Sequence, residues 1–323
     1  MIGKLTRLFA MLCAASIGVA AQAEPQTIAI ANFGPHPDLD ATVSGFKAEL
    51  ARQGFRDGQE VKYAYTDGNF NPALLPQIIT QMEATNPVLM LTVTTPVTQA
   101  SKQILKNPKL PVVFAAVTDP VKAEIVPSWD KGGERHVGAS DLQDVGAVMA
   151  FAKALLPKAA IIGVPFNAGE ANDVATVQAI EAAAAKLGVT VRSVSVEAAT
   201  DIPQRVQSLQ GVDYVYVIAS NLIMPALPAV ASAADRLGIP VISASTDAVQ
   251  QGIAAGALAV SYDSVGANAG KLAAEILKGK KPSELANSKP TAADHKKIIS
   301  AKKMEQLKLP IPAALENCDC IVR

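Results

Sequence analysis

Short apolar runs alternate with amphipathic stretches along nearly the whole chain. QTIAIANF (26–33) reads as a strand, and LDATVSGFKAELARQGF (39–55) as a helix closed by Gly54. EVKYAYTD (60–67), VLMLTV (88–93) and PVVFAAV (111–117) are further strands, separated by predicted helices over 72–86 and 98–107. A similar rhythm restarts near residue 140. Strands are expected at 159–167, 189–196, 212–220, 239–245 and 257–262, and helices at 145–157, 171–188, 201–211, 224–238 and 264–280, with a short one opening at 247. Period-two runs alternating with period-3.6 stretches predict right-handed βαβ units and parallel sheets covered on both faces. The fold class is therefore α/β, as two Rossmann-like lobes. The polar, proline-interrupted segment KPSELANSKPTAADHKK (281–297) reads as a linker.

In open parallel sheets, ligands sit at the carboxyl ends of the strands. The segments that follow the strands are uniformly polar: NFGPHPDLD (32–40), YTDGNFN (65–71), TTPVTQ (94–99), TDPV (118–121), PFNAGEAND (165–173), SNLIMP (220–225) and STDAVQQG (245–252). Several lead into helix N-termini, whose free N–H groups favour an anion. Hydroxyls in TTPVTQ fit two roles, a helix cap or a contact to a negatively charged ligand, and Asp119 is ambiguous in the same way.

Composition narrows the classes. Lys+Arg and Asp+Glu both number 29, so nothing points to nucleic acid. No nucleophile elbow, Walker loop or dinucleotide fingerprint is present. His36, Asp38 and Asp40 lie close together, but Asp38 fits a helix start as well as a catalytic site. His36, His136 and His295 are not spaced as metal ligands, so neither metal nor cofactor is expected. At the amino terminus, Lys4 and Arg7 precede the uncharged apolar run LFAMLCAASIGVAA (8–21), and AQA (21–23) supplies small residues before a cut after Ala23. That is the pattern of a secretory signal peptide. The residues before Cys13 do not form a lipidation site. Cleavage removes two cations and leaves 27 against 29, a net charge of about −2. Export would permit a disulfide between Cys318 and Cys320, although a C-x-C loop is geometrically demanding.

HPDLDATVSGFKAEL (36–50), TTPVTQA (94–100), VFAAVTDPVKAEIV (113–126), NAGEAND (167–173) and the block from STDAVQQG to LKG (245–279) resemble the tryptophan/tyrosine ABC transporter substrate-binding proteins. The likeness covers nearly all of the chain after residue 23. It implies the type I periplasmic binding protein (Venus-flytrap) fold, with chain crossings near 141, 263 and 290. One lobe would then comprise 24–141 plus about 263–290, and the other 142–262 plus about 291–323. It implies a periplasmic monomer that binds a free amino acid, aromatic or branched, and delivers it to ABC permease subunits with their cytoplasmic ATPase. A sensor that signals through a membrane kinase or chemoreceptor would share the same fold; an exported enzyme is a more distant alternative. The resemblance assigns the ligand carboxylate to Thr94, Thr95 and Thr98, with Thr118 and Asp119 at the next turn. It assigns the ammonium to Asp247, and places Phe166, Asn167, Ser220 and Asn221 along the second-lobe wall. Phe33, Tyr65, Phe70, Phe166 and Tyr262, at or near strand ends, are candidate ring partners for an aromatic ligand.

Overall fold

The fold is that of a computed structural model and is described for residues 24–323. The segment read as a signal peptide lies outside the described residues. The first half contributes β1 (Gln26–Asn32), α1 (Pro37–Arg52), β2 (Val61–Asp67), α2 (Leu75–Glu83), β3 (Leu89–Val93), α3 (Thr95–Ile104), β4 (Val112–Ala115) and β5 (His136–Ala139). The second contributes α4 (Val145–Leu155), β6 (Ile161–Phe166), α5 (Ala171–Leu187), β7 (Thr190–Ser195), α6 (Ile202–Gln207), β8 (Tyr214–Val217), α7 (Leu227–Arg236), β9 (Val241–Ser243), α8 (Thr246–Gln250) and β10 (Gly256–Val260). Helix α9 (Tyr262–Leu277), β11 (His295–Ser300), α10 (Ala301–Gln306) and β12 (Ile321–Val322) complete the chain.

Two sheets result. One is five-stranded and parallel, in the order β2-β1-β3-β4-β5. The other is seven-stranded, in the order β12-β11-β10-β9-β8-β6-β7, and parallel except where β11 runs against β10. β3 and β4 are buried at every position, as strands covered on both faces must be. β11 begins within the segment read as a linker, because HKKIIS carries lysines at its exposed end and apolar residues only at its buried end.

Helix α9 follows a second-sheet strand but packs against α1, beside the first sheet. The approach is backbone to backbone. A Cβ on Gly45 would stand 2.2 Å from the Asp263 carbonyl oxygen, and one on Gly266 would stand 1.9 Å from that of Thr42. Only glycine permits such contact, and it brings the N-termini of α1 and α9 to one place. Three segments linking the sheets also hydrogen-bond to one another. Val260 N donates to Gln143 Oε1, Ser261 N to the Asp294 carbonyl, and Asp144 N to His295 Nε2. Near the C-terminus, Cys318 and Cys320 form a disulfide.

Candidate functional site

Parallel strands direct their carboxyl ends, and the helix N-termini that follow them, into the gap between the sheets. There a narrow cavity is lined from the first lobe by His36, Asp38, Leu39 and Phe70, then Thr94, Thr95, Ala116 and Thr118. The second lobe contributes Asn172, Ala219, Ser220, Asn221, Met224 and Pro225, while Asp141 and Tyr262 come from segments joining the lobes. About 30 Å³ is open to a water-sized molecule, room for a water or two. A larger ligand therefore requires the walls to part.

The first-lobe wall is strained and under-bonded. Thr94 has φ 83°, a left-handed conformation that a β-branched residue adopts only at a cost, and Ala116 has φ 54°. The Thr94 and Thr95 hydroxyls are buried at the start of α3 and have no partner; Thr94 holds the N-cap position of that helix without a side-chain capping bond. Thr98 is different. Its hydroxyl donates to the Thr94 carbonyl and meets Thr92 Oγ1 at 2.9 Å, so it braces the turn from behind.

Two carboxyl groups face the cavity. Asp38, at the start of α1, is pushed up to about 7 by burial, reinforced by the charges of Asp247 and Asp141. The nearby Ser245 hydroxyl opposes the shift, but it stands outside full hydrogen-bond geometry, and both Asp38 Oδ2 and Ser245 Oγ remain unpartnered. Asp141 is also raised by burial, against the hydrogen bonds donated by Thr118 Oγ1 (2.9 Å) and the Tyr262 hydroxyl (3.1 Å). His36 caps α1 by accepting from Asp38 N, and burial lowers its pKa, which keeps the ring neutral. No lysine or arginine lines the cavity. Among the described residues no cluster suited to a metal ion occurs.

The second-lobe wall is extensively hydrogen-bonded. Glu170 accepts from Asn221 N, Asn221 Nδ2 and Leu222 N at 2.7–2.9 Å, which ties the loop after β6 to the loop after β8. Asp173 is fully buried and raised by that burial and by the charge of Glu170. It accepts from Asn167 N and from Asn172 Nδ2.

Of the residues picked from sequence, Thr94, Thr95, Thr118, Ser220 and Asn221 line the cavity. The other six do not. Phe33 is buried behind the wall and meets the Phe70 ring edge-on, with centroids 5.9 Å apart. Thr98 points inward, as described. Asp119 accepts from Val121 N and Lys122 N, making it a turn-former. Phe166 packs against the second-lobe core, and Asn167 spends its amide on Glu170 and Gly169 within its own loop. Asp247 is engaged with Gln251 one turn along α8, and reaches the cavity only through its charge. Sequence reasoning missed Asp141 and Asn172 and left Asp38 between a helix start and a catalytic site. Tyr262 was placed at a strand end, whereas it opens α9 and reaches Asp141.

Over residues 27–318 the chain matches the family of ABC transporter substrate binding proteins. It belongs to that family. This substrate-binding protein is 31% identical over 256 residues, 79% of its length and 73% of the other's, to the tyrosine-binding protein of Clostridioides difficile (strain R20291). A Streptococcus pneumoniae structure in complex with L-Trp aligns with TM-score 0.86 at 27% identity, covering 92% of this chain and 100% of that one. A ligand-free, open substrate-binding protein with adhesive properties from Clostridium difficile aligns with TM-score 0.70 at 28% identity, covering 92% and 99%. The family is non-enzymatic, and the two-lobed α/β architecture is that of solute-binding proteins.

Proposed function

We propose that this substrate-binding protein is exported, binds a free aromatic amino acid in the cavity between its lobes, and delivers it to the membrane subunits of an ABC importer. The observation that carries the ligand class is the pairing of unpartnered buried groups of two kinds in one cavity. The Thr94 and Thr95 hydroxyls at the N-terminus of α3 suit a carboxylate, through their O–H donors and the helix dipole. Asp38, whose Oδ2 is unpartnered, suits an ammonium, with the carboxyl of Asp141 lining the same cavity. A zwitterion satisfies both ends, and buried polar groups without partners are costly otherwise. Leu39, Phe70, Met224 and Pro225 offer apolar surface for a ring. The tyrosine-binding relative and the L-Trp complex support the same class.

The two lobes, 24–141 with 263–290 and 142–262 with 291–323, act as bodies that part to admit ligand and close upon it. The TM-score to the L-Trp complex, 0.86, exceeds that to the open, ligand-free relative, 0.70, at nearly equal identity, which supports a lobe arrangement unlike the open one. The closed form is the one expected to meet the permease.

Thermal unfolding of residues 24–323 against a panel of amino acids, sugars and nucleosides tests the ligand class. Tryptophan or tyrosine at a hundred times its Kd should add about 2.7 kcal/mol to the unfolding free energy. Stabilisation by a sugar or nucleoside, with none from amino acids, overturns it. Loss of labelled amino-acid uptake on deletion of the gene tests the importer role.

A further inference from the structure

One second-lobe side chain is oriented with unusual completeness. Asn172 is buried, and its Nδ2 lies among three acceptors: Asp173 Oδ1 at 2.8 Å, the Ala219 carbonyl at 3.2 Å and Glu170 Oε2 at 3.3 Å. An amide nitrogen surrounded by acceptors cannot exchange places with its oxygen, which would then face a carboxylate and a carbonyl. The amide is therefore locked. Its Oδ1 belongs to a cavity-lining residue, is buried and has no partner. An amide carbonyl accepts hydrogen bonds and donates none, so once a ligand displaces water from the cavity only a donor on that ligand satisfies it.

The ends of a zwitterion are accounted for elsewhere, the carboxylate at Thr94 and Thr95 and the ammonium at Asp38 and Asp141. Glu170 and Asp173 are already engaged by chain donors and serve to hold Asn172. Apolar Ala219, Met224 and Pro225 line the cavity from this same lobe. The geometry points to Asn172 Oδ1 as the group that reads a hydrogen-bond donor on the ligand's side chain, so that the protein selects indole- and phenol-bearing amino acids over phenylalanine. Glu170 and the Ala219 carbonyl act as positioning groups for that acceptor. This inference rests on the amino-acid reading of the cavity and adds the chemistry by which rings are told apart.

The physical basis is the cost of burying an acceptor unpaired. A ring that fills the space without a donor excludes water and leaves Oδ1 bare, a penalty corresponding to roughly ten- to a hundredfold in affinity. Calorimetric titration of the native protein with L-tryptophan, L-1-methyltryptophan, L-tyrosine and L-phenylalanine tests this without altering the chain. Tryptophan or tyrosine should bind at least about tenfold more tightly than its donor-less counterpart. The same series on Asn172→Ala should reduce that gap to threefold or less. Equal affinity within both pairs for the native protein overturns the inference while leaving the amino-acid reading intact; so does an undiminished gap in a folded Asn172→Ala protein. If Asn172→Ala does not fold, the native ligand series decides alone. Absence of binding by all four ligands overturns the amino-acid reading itself, and this inference with it.

Discussion

The two walls of the cavity are built from the same kind of element, a strand end leading into a helix N-terminus, yet they spend their polar groups differently. On the first lobe, Asp38 Oδ2 and the Thr94 and Thr95 hydroxyls are unpartnered, and Thr94 is held in a strained backbone conformation. On the second, Glu170, Asp173, Asn167 and Asn221 bond to one another and to backbone, leaving Asn172 Oδ1 as the acceptor without a partner. On the proposed reading, the first wall is left to be completed by charged ligand groups. The second is finished in advance and presents a fixed surface. Affinity for the charged ends should reside in the first lobe, and stability and ring selectivity in the second.

The sharpest way to break that contrast is Asp38→Asn. It should weaken aromatic amino-acid binding about a hundredfold or more, because a buried ammonium loses its charge partner. Its melting temperature should change little, since an unpartnered buried carboxyl is replaced by a neutral group. Calorimetry beside differential scanning calorimetry gives both numbers, and unchanged affinity would shift the ammonium to Asp141 alone. Glu170→Gln should show the opposite profile: a loss of about 2 kcal/mol in urea unfolding, as a carboxylate that holds two loops becomes a group with fewer acceptors.

Solution pH separates the walls more gently. Asp38 must be ionised to pair with an ammonium, and its pKa in the unliganded fold is raised to about 7. Affinity should therefore fall about tenfold between pH 8 and pH 6, with proton release on binding near pH 7. Unliganded stability has the opposite slope. A carboxyl whose pKa is raised on folding keeps its proton in the native state while the unfolded chain loses it, so stability falls as pH rises from about 4 to about 7. A flat affinity profile across pH 6–8 would remove Asp38 from the ammonium site. The smallest effect belongs to Asp247→Asn, expected to change affinity less than about threefold, because Asp247 acts on Asp38 and His36 only through space. A larger loss would return it to the role the sequence suggested.

Much of the fold was legible in the chain because burial on both sheet faces forces apolar runs, and VLMLTV and PVVFAAV have no other good use. Strand β11 was not, because a short strand mixing lysines with isoleucines carries no period. Within the site, the threonines of TTPVTQ were visible as hydroxyls at a helix start. Their division of labour was not, since all three have the same chemistry and only backbone direction turns Thr98 away from the cavity.

By itself, then, the sequence determined the α/β alternation, the placing of polar turns at strand ends and the resemblance to a binding-protein family, since these are local or periodic properties. Tertiary structure decided which polar residues meet. Asp38 and Tyr262 lie more than two hundred positions apart, and they share a cavity because glycines let α1 and α9 touch backbone to backbone. Asn172 reads in sequence as one polar residue among several in NAGEAND. It becomes an aimed acceptor only where Glu170, Asp173 and the Ala219 carbonyl converge on its nitrogen. Unsatisfied hydrogen-bonding groups are properties of a surrounding and not of a residue type, and so they stay hidden until the chain has folded.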